Sequence, residues 1–204
     1  MNRFRFYLAR SLRDEAALSS LSVPRQDLLD SLTGRSVALI GNARALADQR
    51  HGAQIDTHDL VIRINRAPIP NPASHGQRTD WLALATRLSD RDRARLAPKR
   101  ILWMSPKRKR LDHATASSAG FYMHPLPDYR DLAARLAAPP TTGAMMIDLL
   151  ARSNLHRLTL YGFDFFASLS LSGRRRADQV PHDFSAESAW VSALLASDPR
   201  ILQA

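Results

Sequence analysis

Short apolar runs recur along the chain, each followed by a segment whose apolar residues return with a helical period. The first run, residues 37–40 (VALI), stops at Gly41-Asn42, gives way to a helix-like segment at 43–50, and is followed by a second run at 60–64 (LVIRI). That order reads as strand, tight turn, helix, loop, strand. Residues 79–85 and 100–104 read as further strands, separated by a charged helix over 89–96. A helix over 128–137 is stopped by Pro139-Pro140. Thr142-Gly143 then leads into an apolar helix at 144–151, a strand at 157–163, and a last helix over about 185–195. Such alternation predicts an α/β fold with a mostly parallel sheet and helices on both faces. Ahead of it, residues 1–34 read as an N-terminal helical segment, with Pro24 and a short connecting helix at 25–32 before a single domain over 35–204.

The first turn carries the first chemical suggestion. A strand ending in a glycine turn at a helix N-terminus exposes backbone N–H groups and the positive end of the helix dipole, which suits a phosphate. The second strand ends in Arg63-Ile64-Asn65, at the carboxyl edge where open α/β sheets bind ligands. A nucleotide is therefore the first ligand considered. Gly41 is followed by Asn, Ala, Arg, Ala and Leu, which breaks the G-x-G-x-x-G spacing, and no phosphate-binding Lys-Ser/Thr loop occurs, so oxidoreductase and NTPase readings are disfavoured. Asp90-Arg91-Asp92 has the D-x-D spelling of a metal site, but Ser89 reads as an N-cap and both acids fall in the first helical turn. The histidines are scattered without ligand spacing. No metal is expected.

Charge narrows the partners. The 204 residues are 45% hydrophobic and 24% charged, ordinary for a globular domain, and their formal net charge of +10 favours an anionic partner: nucleotide, nucleic acid, acidic glycan or anionic membrane surface. The absence of cysteine excludes disulfides and thiolate metal sites and suits a reducing compartment. Near the N-terminus Arg3, Arg5 and Arg10 alternate with Phe4, Phe6, Tyr7 and Leu8; this reads either as a helix docked on the domain or as a basic amphipathic helix on a membrane. The basic run at residues 107–110 reads as a solvated or acceptor-facing edge rather than a nucleic-acid site, because no stacking aromatics interleave with it.

Three blocks, taken in order, resemble one family. Residues 37–68 resemble the long donor-binding motif of the animal-type sialyltransferases (sialylmotif L), with its G-N-S/A turn at Gly41, an I-D-x-H-D segment at 55–59 and a V-I-R-x-N-x-A-P ending at 61–68. Residues 140–163 (PTTGAMMIDLLARSNLHRLTLYGF) are similar to sialylmotif S, and residues 182–187 (HDFSAE) to the very short motif, His-x4-Glu. The family's disulfide positions correspond to Val37 and Leu155, an apolar pair. Its membrane anchor and stem have no counterpart, as in a bacterial-type, cytoplasmic version. Its His-Tyr-rich motif III is replaced by Gly173-Arg174-Arg175-Arg176.

The resemblance implies a GT-A-like three-layer α/β/α sandwich. It also implies inverting transfer of an acidic sugar from a CMP-sugar to a glycan or lipid-linked glycan hydroxyl, without a metal or other cofactor. Sialic acid is the first donor sugar, Kdo the alternative; a non-catalytic nucleotide- or RNA-binding domain is the rival outside enzymes. Peripheral contact with the inner membrane face is compatible with this reading, and nucleic acid is disfavoured. The donor set carried over is Gly41, Asn42, Arg63, Asn65, Thr141, Thr142 and Gly143, with Arg174, Arg175 and Arg176 as candidate phosphate charges. Asn42 and Asn65 match positions that contact the nucleotide, and an amide supplies both donor and acceptor. Arg63 also reads as a surface charge beside a core strand. Residues 141–143 open a helix where N–H groups and hydroxyls can hold an anion. His182 matches the family's general base, a role suited to neutral imidazole. Glu187 either starts the last helix or fixes a neighbouring backbone group.

Overall fold

The computed structural model describes residues 1–164 and 181–204. Its strands are β1 (Ser36–Ile40), β2 (Leu60–Ile64), β3 (Trp81–Leu84), β4 (Arg100–Trp103), β5 (Tyr122–Met123), β6 (Arg157–Tyr161) and β7 (Ile201–Gln203). They form one sheet in the order β5-β4-β3-β2-β1-β6-β7, and every adjacent pair is parallel. The helices are α1 (Arg3–Leu12), α2 (Glu15–Ser19), α3 (Arg25–Asp30), α4 (Gly52–Asp56), α5 (Pro72–His75), α6 (Asp90–Leu96), α7 (His113–Ala116), α8 (Leu126–Leu136), α9 (Thr142–Ala151) and α10 (Phe184–Ser197).

A parallel sheet must be covered on both faces, and alternate residues of each strand divide accordingly. Val37 and Leu39 of β1 and Leu60, Ile62 and Ile64 of β2 pack with residues of α3, α8, α9 and α10. On the opposite face Ala38, Ile40, Val61 and Tyr161 meet Leu46 and Ile55, while Leu82, Leu84, Ile101 and Trp103 meet Phe6 and Ala9 of α1, Leu18 of α2 and Leu96 of α6. Residues of α1–α3 thus belong to the two main cores, and residues 1–34 are packed into the same unit as the sheet. In α9 every residue from Thr142 to Leu150 is buried. Each fully buried side chain such as Met146, Ile147 or Leu150 contributes about 2 kcal/mol of apolar burial, which fixes the helix centrally on its face.

The strand order places a switch point between β1 and β6. From β1 the chain builds outward through β2 to β5, and then returns to add β6 on the other side of β1. At such a switch point the carboxyl edge of an open α/β sheet presents the crevice in which ligands bind.

Three features differ from expectation. Residues 43–50 are not a helix: Ala43 is extended, and Arg44–Asp48 is a 3-10 turn followed by the separate α4. Ala43, in extended conformation, donates its N–H to the Gly162 carbonyl (3.1 Å), which pins the chain across the end of β6. No α-helix N-terminus therefore follows directly from Gly41-Asn42. The edge strands β5 and β7, of two and three residues, were also not foreseen; they are too short for a sequence period to show.

Candidate active site

Gly41 and Gly162 end β1 and β6 back to back. Gly41 N–H donates to the Tyr161 carbonyl (2.7 Å), and a Cβ on Gly41 would lie 2.2 Å from the Gly162 carbonyl oxygen. Glycine is required by this approach of two backbones, whereas the sequence suggested a phosphate turn. Phe163, the next residue, fills the angle between β1 and α9: its ring atoms would lie 3.1 Å from a Cβ on Gly41 and 2.8 Å from one on Gly143. The two glycines thus accommodate one aromatic ring, a pairing that became visible only once the topology joined residues 41, 143 and 163.

Asn42 and Asn65 stand at the carboxyl ends of neighbouring strands with fixed amide orientations. Asn42 Nδ2 donates to the Ile64 carbonyl (3.3 Å), which leaves its Oδ1 as a free acceptor among the described residues. Asn65 Oδ1 accepts the Ala85 N–H (3.1 Å), leaving Nδ2 as a donor with no described partner. Asn65 has φ 55° and Ala67 φ 42°. Asn tolerates that left-handed region, whereas Ala67 is held there at a cost of about 1 kcal/mol or more. Arg95 clamps this loop by donating to the Arg66 and Ala67 carbonyls at 2.8 and 3.3 Å.

The helix N-terminus at the crevice is that of α9. Thr141 is its N-cap, its Oγ1 accepting the Ala144 N–H (3.0 Å). The Thr142 and Gly143 N–H groups occupy the first two helical positions and have no acceptor within the helix. Thr141 is itself held from α10: its N–H and Oγ1 donate to Glu187 Oε1 and Oε2 at 2.6 and 2.8 Å. Glu187 is buried, and burial pushes its carboxyl up against the opposing effect of the two Thr141 bonds. Glu187 lies in the first turn of α10 and also ties the Thr141 backbone, so both of its readings hold. The turn before α10 carries His182, whose Nδ1 lies 2.7 Å from the Pro139 carbonyl, two residues before the α9 cap. A carbonyl only accepts, so Nδ1 carries the proton and Nε2 the lone pair of the neutral ring. Two separate contacts, His182–Pro139 and Glu187–Thr141, hold the loop of the very short motif against the start of α9.

Arg63 is placed elsewhere. It lies on the face of β2 with Val61, is 1% exposed, and donates from Nε to the Arg78 carbonyl (2.8 Å) and Thr79 Oγ1 (3.1 Å) and from Nη2 to the His75 carbonyl (2.7 Å). Burial lowers its pKa to about 10. It braces the 75–79 segment inside the fold, because an arginine buried at mid-sheet must satisfy its donors locally. Arg174, Arg175 and Arg176, and the motif III region, lie outside the described residues. Asp90 and Asp92 occupy the first turn of α6, capped by Ser89, and no group of three metal-ligating side chains gathers among the described residues. Val37 and Leu155 are both buried in the same core.

Part of the sequence and the fold are similar to known proteins. Residues 8–94 match the model of glycosyltransferase family 29 (sialyltransferase). Over 41 residues the chain is 46% identical to the CMP-N-acetylneuraminate-beta-1,4-galactoside alpha-2,3-sialyltransferase of Mus musculus and 44% identical to that of Homo sapiens; each match covers 20% of this chain and spans 11% of the relative's length. The fold is similar to that in the crystal structure of a mammalian sialyltransferase, with a TM-score of 0.60 and 20% identity over 84% of this chain and 69% of the other. A mammalian sialyltransferase in complex with Gal-beta-1-3GalNAc-ortho-nitrophenol gives 0.59 and 21% over the same shares. The chain has the α/β sandwich fold of these enzymes, with its parallel sheet.

Proposed function

We propose that the chain is a CMP-sugar-dependent glycosyltransferase that moves sialic acid to a glycan hydroxyl with inversion. The observation that carries this reading is the meeting, at the carboxyl edge of the sheet, of the two strand-end asparagines, the start of α9 with its two N–H groups unpaired within the helix, and the His182 loop tied to it. Asn42 offers an acceptor and Asn65 a donor, the complementary pair that a cytidine presents in reverse. The Thr142 and Gly143 N–H groups suit an anion, either the CMP phosphate or the sugar carboxylate. Arg174, Arg175 and Arg176 are proposed to add charge at the phosphate.

In the reaction the acceptor oxygen bonds to the anomeric carbon as the bond from that carbon to the phosphate oxygen breaks. CMP takes the electron pair, and the hydroxyl proton passes to His182 Nε2. The Pro139 carbonyl keeps the opposite nitrogen protonated, so the lone pair is presented without a tautomer change. Donor N–H groups at α9 stabilise the developing charge without reorganisation. A lipid-linked glycan is the acceptor class that the basic surface favours.

Calorimetric titration with CMP, UMP and AMP, with and without chelator, is the direct test. Selective, chelator-insensitive CMP binding is expected, and His182→Ala should keep that affinity while abolishing transfer from CMP-sialic acid. Absence of CMP binding would overturn the reading, and transfer from CMP-Kdo alone would reassign the donor sugar. CMP binding without turnover in the native protein would leave a binding domain.

A further inference from the structure

Helix α1 turns inward at Phe6 and Ala9, and outward at Phe4, Leu8 and Leu12. Those three side chains, each one turn from the next, are 77%, 48% and 71% exposed. With Met1 they are four of the five large apolar side chains exposed among the described residues. At 1.5 Å per residue the ridge from Phe4 to Leu12 is about 12 Å long. A surface helix ordinarily points its polar residues outward. Here the apolar ridge occupies that position.

The surroundings of the ridge are cationic. At 100° per residue Arg5 lies about 60° round the helix from Leu8 on one side of the ridge, Arg3 about 140° round on the other, over the Tyr7 ring, and Arg13 lies just past its end; all three are exposed. Beside α1 lies the turn that follows β4, with exposed Lys107, Lys109 and Arg110. It is joined to the helix by Arg10 Nη1 donating to the Leu111 carbonyl (2.8 Å) and by His113 Nε2 at 3.3 Å from the Met1 carbonyl. Helix α1 contains no acid. The next two acids are already engaged: Asp14 caps α2, and Glu15 pairs with buried Arg108 at 2.6 Å.

We propose that α1 is an interfacial anchor that lays Phe4, Leu8 and Leu12 into an anionic lipid bilayer, with the flanking arginines and the 107–110 turn on its phosphates. Arginine stems beside an apolar ridge suit this depth, since the aliphatic part follows the acyl boundary and the guanidinium stays at the headgroups. A second copy of the chain fits less well, because it would bring the arginines of two helices together with no acid to pair them. A nucleic acid would take the cations and leave the ridge in water. The turn at 107–110 follows the carboxyl end of β4, the sheet edge at which the crevice opens. Docking stands on α1 and this turn; its value for a lipid-linked acceptor rests on the reading of the crevice.

Flotation of the full chain with vesicles of phosphatidylcholine alone, and of phosphatidylcholine mixed with phosphatidylglycerol, separates the cases. Binding only to the mixed vesicles is expected. The triple variant Phe4→Ser, Leu8→Ser, Leu12→Ser should weaken it on the order of 100-fold. Arg3→Gln, Arg5→Gln, Arg13→Gln should weaken it roughly 10- to 100-fold. Both variants change exposed positions, so their thermal unfolding should match that of the parent. No binding to the mixed vesicles, binding unchanged by the serine variant, preferential binding of single-stranded RNA, or a dimer that the serine variant dissociates would each overturn the proposal. None of these outcomes depends on CMP, so its failure is distinct from failure of the transferase reading.

Discussion

Replacing Glu187 tests how the crevice is held together. Its carboxylate accepts both the N–H and the Oγ1–H of Thr141, and Thr141 Oγ1 in turn accepts Ala144 N–H, so one buried side chain aligns α10 with the start of α9. Glu187→Ala removes both acceptors. Hydrogen bonds to a charged group contribute about 1.5–3 kcal/mol each, and relief of the buried charge returns part of that, so a net loss of about 2–4 kcal/mol in unfolding free energy is expected. Glu187→Gln keeps the shape: its amide oxygen can accept Thr141 N–H and its NH2 donate to Oγ1, at a cost of about 1 kcal/mol. Because the Thr142 and Gly143 N–H groups follow Thr141, CMP affinity should fall about 10-fold in the alanine variant and under about 3-fold in the glutamine variant. A pH series adds a sign. Burial raises the folded carboxyl above the 4.5 of a free glutamate, so the part of the stability linked to its titration is full below 4.5 and is lost as pH rises through the folded value. The glutamine variant should therefore gain on the parent as pH rises across that window. Urea unfolding and calorimetric CMP titration read both effects. An alanine variant within about 0.5 kcal/mol of the parent and with unchanged CMP affinity would refute the tie, as would a glutamine variant as damaged as the alanine one.

Gly41→Ala forces a Cβ against the Gly162 carbonyl, so the β1 and β6 ends must part; a loss of about 1–3 kcal/mol and of CMP binding is expected, and normal CMP titration would count against the close approach. Arg63→Met leaves three acceptors without their donor and should cost about 2–4 kcal/mol while the folded variant binds CMP as the parent does; weakened binding at full stability would return Arg63 to the donor set. His124 is 2% exposed with neither ring nitrogen bonded to a described residue, and burial lowers its pKa from 6.5 to about 4. Its contribution is present above 6.5 and is lost as pH falls towards 4, about 3 kcal/mol in full, so His124→Phe should flatten the acid limb of the stability curve. An unaltered acid limb in urea unfolding would contradict that assignment.

The strand–helix alternation was legible because buried strands need continuous apolar runs: β2 falls at residues 60–64 as expected, and Ser89 caps α6 from its side chain. The α9 cap at Thr141 was legible for the same local reason. What failed was non-local. Residues 43–50 have helical composition, but Ala43 is extended and held to the Gly162 carbonyl, far along the chain. Arg63 looked available because a sequence does not show which face of a strand meets the 75–79 segment. The Glu187–Thr141 tie and the ring of Phe163 between two glycines likewise depend on which loops the sheet order brings together.

The pairing of β1 with β6 has a kinetic consequence. Ser36 meets Arg157, about 120 residues later in the chain, so this ladder closes the longest loop in the sheet and the entropy of that closure precedes any reward from the contact. Neighbours such as β1–β2 and β3–β4 close over far shorter spans. Folding should accordingly assemble the β1–β4 region early and capture β6 and α9 late. Gly41 meets Gly162 and Phe163 meets Gly143 only in that final step. A chain stalled before it would have most of its sheet and no crevice, so ligand binding reports completion of folding.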